Sequence, residues 1–160
     1  MNIRGLYFFG LIAVSLLLGA GYYLEVTTGL APCPLCLFQR GLFLLLGVFF
    51  LLGLFLSSKR VGRAFSNFFL MLTAIGGIVF SGRQVFLQHA ASSAAHECGV
   101  SLQYMLHVLP LREVIQNVFA GGVTCAERGW IFLSLDMAEW ALLSFIGFLL
   151  LGGYLFLRDL

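Results

Sequence analysis

Charge is scarce in this sequence. Only 10% of its residues are Asp, Glu, Lys or Arg and 61% are hydrophobic, whereas an ordinary soluble domain is about 25% charged and 45 to 50% apolar. A soluble globular fold is excluded on that balance, and so is disorder, which needs low hydrophobicity and high charge. Proline is scarce as well: three prolines among 19 unphased glycines rule out a collagen-like chain. No glycine-rich phosphate loop, serine triad or basic patch interleaved with aromatics is present, so phosphate chemistry and nucleic-acid binding have no carrier. Nor does any repeat, low-complexity tract or Pro/Ser-rich linker divide the 160 residues. A single membrane domain over residues 1–160 is the expectation.

The few charges mark out the spans. Stretches without Asp, Glu, Lys or Arg run from Gly5 to Leu24, Gly41 to Ser58, Ala64 to Gly82 and Trp140 to Leu157. Each roughly meets the ~20 residues that carry a helix across a hydrocarbon core of about 30 Å, and in lipid the backbone must satisfy its own hydrogen bonds. With Leu37 and Phe38 joined to the second span, transmembrane helices are expected at about 5–24, 37–57, 64–82 and 140–157. The fold class is therefore an all-α membrane protein, a four-transmembrane-helix bundle. The first apolar run has no convincing small-residue cleavage site behind it and is expected to remain as a span.

Lys and Arg near short loops favour the cytoplasmic side. Lys59, Arg60 and Arg63 lie between the second and third spans, and Arg4 and Arg158 fall on the same side of the membrane. Both termini are thus expected in the cytoplasm. The segments 25–36 and 83–139 then face out, and they contain all four cysteines: Cys33, Cys36, Cys98 and Cys125. Within the longer outer loop, Leu111, Val114, Ile115, Val118 and Phe119 recur at helical spacing, opposite Arg112, Glu113, Gln116 and Asn117. Pro110 suits the start of such a helix and Gly121 and Gly122 its end. A short amphipathic helix is expected there, lying on the outer interface or packed as a lid on the bundle.

The chemistry lies in the cysteines. Cys33, Pro34, Leu35 and Cys36 form a C-x-x-C pair at the start of the second span. Pro34 suits the first helical position, so both sulfurs sit in or beside the first turn, where unpaired N–H groups and the helix dipole stabilise a thiolate. Arg40 follows Cys36 by four residues, on the same face and one turn deeper. An arginine at membrane depth is costly and suggests function; the competing reading has it snorkelling to the outer interface, paired with an acid such as Glu25. Four cysteines allow three pairings, of which 33 with 36 and 98 with 125 is the simplest. Bracing disulfides are the bland alternative for Cys98 and Cys125, but a C-x-x-C bridge closes too small a loop to stabilise much. A zinc site is disfavoured because Cys98 and Cys125 lack a second C-x-x-C spacing; no metal is expected.

A four-span protein with Cys-Pro-Leu-Cys-Leu-Phe-Gln-Arg (33–40) opening its second helix and Cys-Ala-Glu-Arg-Gly-Trp (125–130) ahead of its last span resembles the DsbB family of bacterial disulfide-bond formation proteins. The resemblance extends over essentially the whole chain. It implies an oxidoreductase of the bacterial inner membrane in which Cys98 with Cys125 oxidises a soluble periplasmic thiol oxidase of the DsbA type. Electrons then pass to Cys33 with Cys36 and on to a membrane quinone, ubiquinone or menaquinone. By the same resemblance Cys98 is the sulfur attacked by the partner, Cys33 exchanges with Cys125, and Cys36 is the thiolate beside the quinone, supported by Arg40. His89 is the expected further quinone contact, with Arg83, Gln84 and Gln88 competing for that place. A DsbA-like partner near about −120 mV is reoxidised steadily only if a strong acceptor drains the chain, since 30 mV in a two-electron couple is about 1.4 kcal/mol.

Two other readings compete. A vitamin K epoxide reductase-like enzyme also couples two cysteine pairs to a quinone, but carries its C-x-x-C late rather than first. A non-catalytic scaffold braced by disulfides has no use for a cation beside Cys36. Gly76 and Gly77 are expected to allow close helix packing.

Overall fold

The computed structural model describes residues 3–29, 34–90, 110, 112–113 and 131–159. Helix α1 covers Ile3–Thr28, α2 Pro34–Phe55, α3 Arg60–Ala90 and α4 Met137–Asp159. All four are long and apolar enough to cross a membrane. Large apolar side chains such as Phe8, Leu16, Leu44, Phe68, Leu72 and Leu150 point outward, which lipid rewards and water would not. The chain is an all-α four-helix membrane bundle.

The helices run up and down in turn. Gly10 abuts Phe50 and Gly53 abuts Tyr7, while Gly77 meets Phe145 and Gly152 meets Leu70, so contacts move up one helix as they move down its partner. The α2–α3 connection is tight: a 3-10 turn, Leu56–Ser58, then Lys59, whose N–H donates to the Leu56 carbonyl. Arg4 of α1 donates to the hydroxyls of Ser57 and Ser58, which gathers Arg4, Lys59, Arg60 and Arg63 at one end of the bundle. The four-helix alternation carries Arg158 to the same end.

Tyr7, Val14, Phe43, Leu46, Phe50, Leu70, Phe145 and Leu155 form the core. Phe43 and Phe145 stack with centroids 4.2 Å apart, and the Tyr7 hydroxyl donates to Asn67 Oδ1 at 2.7 Å, closing α1 on α3 without an orphaned polar group. The two neighbouring glycines of α3 behave differently. A Cβ on Gly77 would lie 2.2 Å from the Phe145 ring, whereas one on Gly76 would meet only Leu42 at 3.9 Å. Gly77→Ala is therefore expected to cost about 2 kcal/mol through overpacking and Gly76→Ala almost nothing, read as melting temperatures of the purified protein in detergent.

The helices overrun the uncharged stretches, because a helix ends where its backbone hydrogen bonds end rather than where the first charge appears. Helix α3 continues through Arg83 to Ala90, so the first two turns of the expected outer loop 83–139 are helical. At the other end of that loop lies a feature the apolar pattern does not announce: a minimal hairpin, β1 Ile131–Phe132 and β2 Leu135–Asp136, with Ile131 opposite Asp136. Leu133 and Ser134 both have positive φ, the geometry of a type I′ turn, in which Asn-Gly or Asp-Gly is the usual sequence signal. That signal is missing here. The expected amphipathic helix 111–119 lies outside the described residues except Arg112 and Glu113, which are helical and exposed.

Candidate functional site

Helix α2 begins at Pro34, the position its fixed φ and missing N–H favour. Cys36 therefore sits in the first turn, half-buried, where the free N–H groups of a helix start favour negative charge. Cys33, Cys98 and Cys125 lie outside the described residues.

The Cys36 sulfur is met from across the bundle. Gln84 of α3 donates its Nε2 to Cys36 Sγ at 3.2 Å. Its carbonyl in turn accepts Gln39 Nε2 at 2.8 Å, and both glutamines are buried. Gln39 follows Cys36 by three residues, so the two share a helix face. The result is an amide chain running Gln39 to Gln84 to sulfur. One turn further along the same face of α3, Gln88 is also buried, and its Oε1 has no hydrogen-bond partner among the described residues.

Arg40 reaches the other way. Its guanidinium forms an ion pair with Glu25 and donates to the Gly21 carbonyl, both on α1. Glu25 is the acid expected as a partner for Arg40 at the outer end of the bundle. The two side chains are each 29% exposed, so the pair sits at the seam of α1 and α2, one turn below Cys36.

His89 turns toward α4. Its Nδ1 lies 2.9 Å from the Val85 carbonyl and its Nε2 3.7 Å from Glu139 Oε1, with more than half of the side chain exposed. Glu139 belongs to a capping box: the Asp136 N–H donates to Glu139 Oε2 at 3.0 Å and the Glu139 N–H to Asp136 Oδ1 at 2.9 Å. The structure thus brings Cys36, Gln84 and Gln39 together, and directs Arg40 to α1 and His89 to α4. Asp136→Ala removes the cap of α4 and is expected to cost about 1 kcal/mol, seen as a lower melting temperature with turnover retained.

An apolar groove of about 370 Å³ is lined by Leu37, Phe38, Gly41, Leu42, Leu45 and Phe80, with Phe38 and Phe80 stacked at 5.6 Å. At 3.6 residues per turn these α2 positions lie roughly opposite Cys36. The groove opens away from the sulfur.

Sequence reasoning named Gln84 and Gln88 only as competitors of His89 and did not single out Gln39. The available signal was polarity at membrane depth: an amide three residues after Cys36, and two amides four residues apart on one face of α3.

Residues 3–155 match the family described as Disulfide bond formation protein DsbB. The chain is 36% identical over 155 residues to Disulfide bond formation protein B of Hahella chejuensis, covering 97% of this chain and 94% of that one. It is likewise 36% identical over 155 residues to Disulfide bond formation protein B 1 of Pseudomonas aeruginosa, covering 97% and 95%. Disulfide bond formation protein B of Marinobacter nauticus is 37% identical over 142 residues, covering 89% and 84%. With a match along nearly its whole length and four membrane-spanning helices to go with it, the chain belongs to the DsbB family of disulfide bond formation proteins.

Proposed function

We propose that this protein reoxidises a periplasmic thioredoxin-fold thiol oxidase of the DsbA type and passes the electrons to a membrane quinone. The observation that carries the reading is the Cys36 sulfur at the start of α2, held by an amide N–H from α3, in a chain of the DsbB family. Clustering of Arg4 with the basic turn Lys59–Arg63 supports cytoplasmic termini, with all four cysteines on the periplasmic side of the inner membrane.

The residues divide the work by position. Cys98 and Cys125, as a disulfide, accept two electrons from the partner dithiol: a partner thiolate attacks Cys98, and the second partner thiol displaces it, leaving the partner oxidised and the outer pair reduced. Cys125 then attacks Cys33, releasing Cys36 as a thiolate, and Cys98 closes on Cys125 to free Cys33. Each exchange makes one S–S bond for each it breaks.

A quinone, when bound, supplies the terminal acceptor for two electrons and two protons. The donor set fits such a group: the buried Gln88 amide has an oxygen without a partner among the described residues, and rotation of that amide offers an N–H to a carbonyl oxygen, while Arg40 brings cationic donors one turn from Cys36. Gln88, Arg40 and Cys36 are the residues proposed to hold it, with His89 at the margin. Excluding water from this end of the bundle falls to Leu35, which is fully buried beside Cys36.

Purified protein in detergent, mixed with a reduced DsbA-type oxidase and a soluble ubiquinone or menaquinone analogue, tests the reading. Quinone absorbance should fall in step with oxidation of the partner. Inactivity with both acceptors, the cysteines remaining oxidised and inert, overturns it.

A further inference from the structure

Glutamine is an unusual neighbour for sulfur inside a membrane bundle. Burying an amide among apolar helices is costly unless its hydrogen bonds are satisfied, and here two are buried, Gln39 at 6% and Gln84 at 4% exposure. Their bonds have a direction. Gln39 spends an N–H on the Gln84 carbonyl at 2.8 Å, which leaves the Gln84 N–H facing Cys36 Sγ at 3.2 Å. Were Gln84 turned over, its carbonyl would face the electron-rich sulfur and its NH2 would meet the Gln39 NH2, donor against donor.

We propose that Gln84 is a catalytic hydrogen-bond donor to the Cys36 sulfur and that Gln39 is the positioning residue that fixes its amide with the N–H toward that sulfur. This rests on the role given above to Cys36 as the thiolate released when the C-x-x-C bridge opens. A disulfide sulfur is a weak acceptor and a thiolate a strong one, so the Gln84 bond tightens as negative charge builds on Cys36. An interaction stronger in the charged state than in the resting state accelerates the step that creates the charge. Neutral amides do this without adding a fixed charge beneath the membrane surface. Helix start and amide act on the same atom from two sides, α2 through its own backbone and α3 through Gln84.

The test is alkylation of Cys36 by iodoacetamide in the reduced, purified full-length protein, followed by peptide mass spectrometry across a pH series, alongside quinone turnover. Gln84→Leu keeps the volume and removes the donor; the alkylation rate at neutral pH should fall about tenfold and the profile should move to higher pH. Gln39→Leu should show a smaller change in the same direction. The double variant should be no worse than Gln84→Leu alone, because Gln39 acts through Gln84. If Gln84→Leu does not fold, Gln39→Glu serves instead: a carboxylate at position 39 accepts the Gln84 N–H, turns its carbonyl to the sulfur, and should slow alkylation with Gln84 itself unchanged. Profiles that superimpose on the parent protein overturn the proposal. Failure of the parent protein to reduce quinone, with alkylation still dependent on Gln84, instead overturns the functional reading and leaves the hydrogen bond to the sulfur supported.

Discussion

Serine at position 36 should reduce steady-state quinone turnover by at least about 10³-fold, the scale expected when a nucleophile that acts as one unit with its partners is removed. A hydroxyl neither forms a disulfide nor leaves as a stable anion at neutral pH, so the C-x-x-C bridge cannot exist and nothing accepts electrons from the outer pair. The fold should survive, because the change is nearly isosteric and the Gln84 N–H that meets the sulfur at 3.2 Å finds an oxygen in its place. The outer pair, if Cys98 with Cys125, needs no help from Cys36 to oxidise partner once. A single stoichiometric burst of partner oxidation followed by silence is therefore expected in a stopped assay, with circular dichroism and melting temperature close to the parent. Sustained turnover in Cys36→Ser would remove Cys36 from the electron path altogether.

How far the sequence reaches is clearest along α2. Its start at Pro34, the placement of Cys36 in the first turn and the membrane character of the segment all follow from local chemistry: a fixed φ, a missing N–H and an uncharged apolar run. The four-helix count rests on the same physics. What local chemistry does not carry is which buried side chains meet across the bundle. Gln84 reaches Cys36 because α3 packs antiparallel against α2, in contacts such as Phe38 on Phe80 and Phe49 on Phe69, between residues far apart in sequence. The extent of α3 is another case. Arg83 looks like a boundary charge, yet its guanidinium lies over the Phe86 ring, with its carbon 5.6 Å from the centroid, and the helix runs on to Ala90. The hairpin before α4 has no local signal because Leu133 and Ser134 take left-handed conformations that their residue types do not advertise. His89 illustrates the same limit: its approach to Glu139 across to α4 is a contact between distant residues that no local pattern announces.

Arg40→Ala should lower quinone turnover on the order of 10²-fold, the usual scale for losing an oriented donor at a site where charge develops, while partner oxidation in the first burst stays intact. The ion pair with Glu25 divides this effect into two measurable parts. Removing the arginine leaves the Glu25 carboxylate at the α1–α2 seam with no cation, and removing the glutamate leaves the guanidinium with only the Gly21 carbonyl among its described partners. Breaking a fully buried pair costs roughly 3 to 5 kcal/mol; with both side chains 29% exposed, solvent screening reduces the expected loss of stability to about 1 to 2 kcal/mol. Glu25→Gln should therefore destabilise the bundle about as much as Arg40→Ala. The two should part in turnover. If Arg40 works on the quinone site, Glu25→Gln keeps the cation and retains most activity, whereas Arg40→Ala and Arg40→Lys lose it, lysine because an ammonium cannot reproduce the planar set of donors. If Arg40 only clamps α1 to α2, all three variants lose activity in proportion to their loss of melting temperature, and the double variant Arg40→Ala with Glu25→Gln recovers both together.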